Sequence, residues 1–239
     1  MRKFVLFSLI RPAQSFSPSD LATILSLPSD NELARYIEEH IIEASLHKLG
    51  DYGLLCQLEL YCKFYGRRPT GKLPVKPPIV EQKADVWMHK RLNLAMAIDL
   101  PLNLSPIATA LLSAGLYGKL GEVGILELNK ESFQKLLCKI ERIGGRLTSV
   151  HLRNVREPYS IGVLQISESK GIGLDDFPGL REAIKHSKIK RLGFRLKLGR
   201  DEFSFWIANF GNGTLYAPLV PEPHHIGKLL EFFERVLRD

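Results

Sequence analysis

Two stretches of this chain alternate with a period of two, a pattern no helix can accommodate. In residues 54–64, Cys56, Leu58, Leu60, Cys62 and Phe64 fall on one side, and Gln57, Glu59, Tyr61 and Lys63 on the other. In residues 191–198, Leu192, Phe194, Leu196 and Leu198 face one way while Arg191, Arg195 and Lys197 face the other. Successive side chains of a strand project to opposite faces, so each stretch predicts a half-buried strand with one polar side. Both halves of the chain must therefore supply partners for a sheet.

Around the first of these strands the sequence predicts strand and helix in alternation. Residues 3–10 read as a buried strand ended by Arg11 and Pro12. The basic start Met1-Arg2-Lys3 imitates a signal peptide, but no small-residue cleavage site follows, and a cytoplasmic location is expected. Helices are expected over 21–27 and over 31–48, the latter opened by Ser29 or Asp30, carrying Leu33, Ile37, Ile41 and Ala44, and stopped by Gly50. A basic, proline-rich connector spans 66–78 with Arg67, Arg68, Lys72 and Lys76. Further helices are expected over 81–100, 106–117 and 130–143, with strands over 123–128 and 146–152. Strand, helix, strand in that order implies a right-handed crossover. Residues 1–153 are thus expected to form a three-layer α/β domain with a parallel sheet.

Beyond residue 155 the pattern changes. Strands are expected over 160–167, 191–198, 203–210 and 215–217, and a helix over 177–186. Asn212-Gly213 reads as a two-residue hairpin turn. The closing amphipathic helix uses Ile226, Leu229, Leu230, Phe233 and Val236. Residues 154–239 are expected to be a smaller α+β domain built on antiparallel hairpins.

Composition narrows the function classes by exclusion. With 45% hydrophobic and 25% charged residues, the chain is neither disordered nor fibrous. No apolar run reaches bilayer-spanning length, so no membrane partner is expected. Cys56, Cys62 and Cys138 cannot all pair with one another and read as thiols in a reducing compartment. His224 and His225 are adjacent, and neighbours on a helix point in different directions, which makes a poor chelate. Gly171-Ile172-Gly173 lacks the third glycine of a dinucleotide loop, and no nucleophile elbow is present.

Residues 75–88 (VKPPIVEQKADVWM) and 123–150 (VGILELNKESFQKLLCKIERIGGRLTSV), in this order of elements, resemble the NYN branch of the PIN-like ribonucleases over residues 1–153. The resemblance implies a Lys-rich turn and an Asp opening a helix, matched by Lys83 and Asp85. It also implies a second acidic residue where Arg91 stands, and two signature aspartates where Lys130 and Ser132 stand when Phe133 is aligned. The first strand reads Phe7-Ser8-Leu9 and lacks its terminal Asp. Mg²⁺ in such nucleases needs clustered oxygen ligands, and Lys130 places a positive charge among them. The resemblance therefore implies a domain that has lost catalysis, with no cofactor. Only a rearranged set of Asp85, Glu127 and Glu131 would restore a Mg²⁺-dependent nuclease.

Charge is concentrated elsewhere. The formal net charge is +7, and residues 181–200 carry Arg181, Lys185, Lys188, Lys190, Arg191, Arg195, Lys197 and Arg200 against Glu182 alone. Arg181, Lys185 and Lys188 would share one face of a helix, continued by the outward side chains of the next strand. Trp206 with Phe210 would add a base-stacking platform. These residues predict a non-catalytic nucleic-acid-associated protein, RNA favoured over duplex DNA because no element reads as a recognition helix. The alternative is a protein-interaction subunit of a larger assembly.

Overall fold

The computed structural model describes residues 1–28, 31–66, 77–155, 161–174, 177 and 179–238. In chain order the elements are β1 (Arg2–Leu9), β2 (Ser19–Asp20), α1 (Leu21–Ser26), α2 (Asn31–His40), β3 (Ile41–Tyr52), β4 (Leu55–Tyr65), β5 (Ile79–His89), β6 (Leu94–Ile98), α3 (Ser105–Tyr117), β7 (Val123–Ile125), α4 (Lys130–Arg142), β8 (Arg146–Val155), β9 (Ile161–Ile172), α5 (Leu180–His186), β10 (Lys188–Leu198), β11 (Asp201–Ala208), β12 (Asn212–Ala217) and α6 (Pro223–Arg238). They form two compact units, one of Phe7–Ile125 and one of Met1–Leu6 with Leu126–Asp239, so the division falls inside β1. The expected caps Ser29 and Asp30, and residues 67–76 of the expected connector, lie outside the described residues.

In the unit Phe7–Ile125, β2, β3, β4, β5 and β6 pair in sequence, each antiparallel to the next, and β7 pairs antiparallel with Phe7, Ser8 and Leu9. The predicted alternation of β4 is present, with Cys56, Leu58, Leu60 and Cys62 buried. Helix α3 packs on β2, β3 and β7 and buries Ile107, Leu111 and Leu112. The opposite side of β4 and β5 is a lattice of ion pairs, Lys63–Glu81 at 3.4 Å and Lys83–Glu59 at 3.0 Å.

This corrects the expected three-layer α/β domain with a parallel sheet. Two segments read as helix are strand instead. The spacing of Leu33, Ile37, Ile41 and Ala44 fits one helix, but α2 ends at His40 and β3 begins at Ile41. From there a long ladder with β4 takes over. Segment 81–100 divides into β5 and β6 around a turn at 90–93. All five residues of β6 are buried, so that strand shows no period at all. The turns at 53–54 and 90–93, which join β3 to β4 and β5 to β6, are too short for a crossover helix and require antiparallel pairing.

In the other unit, β12 pairs with Arg2–Val5 of β1, and β11, β10, β8 and β9 follow in that order, all antiparallel. Helices α4 and α6 pack together, with α4 on β8 and β10 and α5 on β8. Asn129 opens α4, its Oδ1 accepting from the Ser132 amide at 2.8 Å. Rings lock the sheet to the last helix: Phe205 lies 5.6 Å from Phe233 and 6.4 Å from Phe4, centroid to centroid. The β11–β12 turn is not at Asn212-Gly213 but at 209–211, where Gly211 takes φ +62°. Gly213 lies inside β12, where a Cβ would sit 2.2 Å from the Trp206 carbonyl oxygen and 2.4 Å from the Phe4 ring. Its lack of a side chain serves close approach, not a turn.

Candidate nucleic-acid interface

Strands β8, β10 and β11 bury one face against α4, α5 and α6, and the residues between those buried positions define an outer face. On β10 the buried series is Ile189, Leu192, Phe194 and Leu196. A period of two cannot link Ile189 to Leu192. The register supplies the missing step: Ile189 opposes Leu152 and Arg191 opposes His151, leaving Lys190 as the extra residue of a bulge. The bulge turns Lys188 onto the same outer face as Arg191, Arg195 and Lys197. Without it, Lys188 would share a face with the buried Leu192.

The same register sets basic residues against basic residues. Arg153 opposes Lys188, His151 opposes Arg191, and Arg146 opposes Arg195 along the β8–β10 ladder. On the far side, β9 supplies Val163, Gln165 and Ser167 opposite Arg153, His151 and Ser149. On the near side, Ala208, Trp206, Ser204 and Glu202 of β11 oppose Arg191, Gly193, Arg195 and Lys197. Of the outward, paired positions on β8 to β11, Glu202 alone is acidic. Like charges directly opposite one another destabilise a sheet, so this seam exists at some cost to folding.

The cations bear on two ring side chains of this face. Burial, followed by Arg191, Arg153 and Lys190, holds the His151 imidazole below its ordinary pKa, so it is neutral at pH 7. The Arg191 guanidinium lies over the Trp206 ring, 5.4 Å from its centroid. Trp206 is partly exposed on the outer face, while Phe203, Phe205 and Ile207 are buried. Phe210 stands beyond the strand in the turn.

The predicted stripe is redistributed. Arg181 and Lys185 lie on α5, and each has an acidic neighbour, Glu141 at 3.7 Å and Glu182 at 3.3 Å. Lys188 belongs to β10 and does not extend that helix face. Arg195 donates through Nε to Glu202 at 2.5 Å, a partner just outside the basic segment. Among the described residues, no carboxylate pairs with Lys188, Lys190, Arg191, Lys197 or Arg200. Arg146, His151 and Arg153 were missed by the sequence reading. Their shared outward phase on β8 is broken by a second irregularity, where Gly193 opposes Ser149 but Phe194 opposes Leu147.

The acidic residues of the nuclease alternative lie on different elements, divided between the two units. Asp85 lies on strand β5, not at the start of a helix, and accepts from the Gln57 amide at 3.0 Å. Glu127 and Glu131 belong to the other unit, Glu131 in the first turn of α4. Among the described residues, metal-type ligands cluster only at Asp201, His224 and His225. The Glu222 amide donates to His225 Nδ1 at 3.0 Å, so the neutral ring carries its proton on Nε2, the atom facing Asp201. Lys228 occupies the other carboxylate oxygen at 2.5 Å and holds the Asp201 carboxyl below its usual pKa. This is an ion-pair cluster with no lone pair of His225 turned inward. No helix among the described residues is long and apolar enough to cross a membrane.

No protein-family model and no curated protein matches the chain.

Proposed function

We propose that the chain is a non-catalytic nucleic-acid-binding protein that takes single-stranded RNA on the outer face of β8, β10 and β11. The observation carrying this reading is the run of basic residues facing one another along one ladder, two cation-on-cation pairs, Arg153/Lys188 and Arg146/Arg195, with His151/Arg191 between them. A polyanion turns that repulsion into attraction, since one phosphate can bridge two cations across the ladder. Trp206, already engaged by Arg191, offers a ring to an unstacked base. A sheet face suits single strands, and the described helices of this unit pack on its strands or on each other.

The test is fluorescence anisotropy with a labelled single-stranded RNA and a DNA duplex of equal length across a salt series. With about four phosphate contacts, log K should fall against log salt with a slope of about −3, and the duplex should bind less tightly. Arg191→Ala should weaken binding of every sequence and reduce the slope. Absence of RNA binding at low salt, or a slope near zero, would overturn the reading.

A further inference from the structure

Where the outer face ends, between the last turn of α4 and the β10–β11 hairpin, a pocket of about 330 Å³ opens onto Arg146, Lys170, Arg195 and Lys197, with Glu202 as its single acid. Its two guanidinium groups are held in place. Arg146 donates through Nη1 to the Lys170 carbonyl at 3.0 Å. Its stem lies against Gly171, at φ +106°, where an added Cβ would sit 2.9 Å from Arg146 Cδ. Arg195 is anchored through Nε on Glu202, which leaves both of its Nη amines for another acceptor. The two residues are direct cross-strand partners. Beside the pocket, the carbonyls of Lys139, Ile140 and Glu141 at the end of α4 accept from the amides of Ile143, Gly145 and Gly144.

We infer that this pocket binds a phosphate monoester, the terminal phosphate of the RNA strand lying on the face. This inference rests on the RNA-binding reading. An internal phosphodiester carries one charge and two free oxygens. A monoester is close to dianionic at neutral pH and offers three oxygens, which matches two oriented forks and two ammonium groups around one recess. Cations farther along β10 sit on an open ladder and suit the diesters that follow. A free nucleoside monophosphate presents the same chemistry, and the experiment separates the two sources.

The same oligoribonucleotide is prepared with a 5′-phosphate, with a 3′-phosphate and with hydroxyl ends, and each is titrated at one salt concentration. One phosphorylated form should bind about tenfold more tightly than the hydroxyl form. Arg146→Lys keeps the charge but loses the fork, and Lys170→Ala removes one ammonium. Each should abolish that preference, and Lys170→Ala, on β9 and off the β8–β10 ladder, should leave hydroxyl-ended binding within about twofold. RNA binding with no end preference would overturn the pocket and leave the sheet reading standing. If no RNA binds in any form, adenosine monophosphate is titrated alone. Binding by the wild type and not by Arg146→Lys would reassign the pocket to free nucleotide, and no binding would remove it.

Discussion

Replacing Arg153 with Glu should make the protein more stable and a poorer nucleic-acid binder at once. Arg153 directly opposes Lys188 on the β8–β10 ladder, and both side chains are exposed. Like charges so placed cost of the order of 0.2–1 kcal/mol, and an opposite-charge pair returns a similar amount. Reversal is therefore worth about 1 kcal/mol at low salt, a rise in Tm of about 2–4 °C for a chain of this size. The gain should shrink in about 1 M salt, where the Debye length falls to about 3 Å. In the binding assay the same substitution removes a phosphate contact and puts a carboxylate against the ligand. The salt slope should become shallower by about 0.7, with an affinity loss on the order of tenfold. Thermal denaturation followed by circular dichroism at both salts, paired with anisotropy, reads both effects. A lower Tm at low salt, or an equal gain at high salt, would refute the account of the seam as an electrostatic strain held for binding.

Two further outcomes follow from particular residues. Gly213→Ala should destabilise the unit by about 3 kcal/mol, because the new Cβ meets the Trp206 carbonyl oxygen and the Phe4 ring, neither of which is free to move; urea denaturation measures it, and a neutral effect would contradict the close approach. The His151 pKa is depressed in the free protein by burial and by the neighbouring cations, so the folded state binds its proton less readily than the unfolded chain. Its stability contribution is present above the ordinary value of 6.5 and is lost as pH falls through the depressed folded value. A polyanion on the face favours the imidazolium, so RNA affinity should rise as pH falls below 6.5, by at most about tenfold per pH unit, and His151→Gln should remove that dependence; an unchanged pH profile in the variant would refute the coupling.

Local pattern was enough to place many elements. The alternation of β4 and β10, the helix that opens at Lys130 and the apolar stripe of α6, with Ile226, Leu229, Leu230, Phe233 and Val236 all buried, are encoded by neighbours a few residues apart. What the sequence alone did not determine is how the strands pair. The spacing from Leu33 to Ala44 suits a helix as well as a helix followed by a strand, and only the ladder with β4 decides between them. The wholly buried β6 shows no period, so nothing local separates it from a buried helix. Those two ambiguities were enough to turn an antiparallel sheet into a parallel one on paper. The candidate site divides in the same way. Charge in residues 181–200 is legible in composition, but a one-residue bulge at Lys190 decides that Lys188 joins Arg191 and Arg195 on one face. Register across β8 decides that Arg146, His151 and Arg153 stand opposite them, and register is a property of paired strands that no single strand contains.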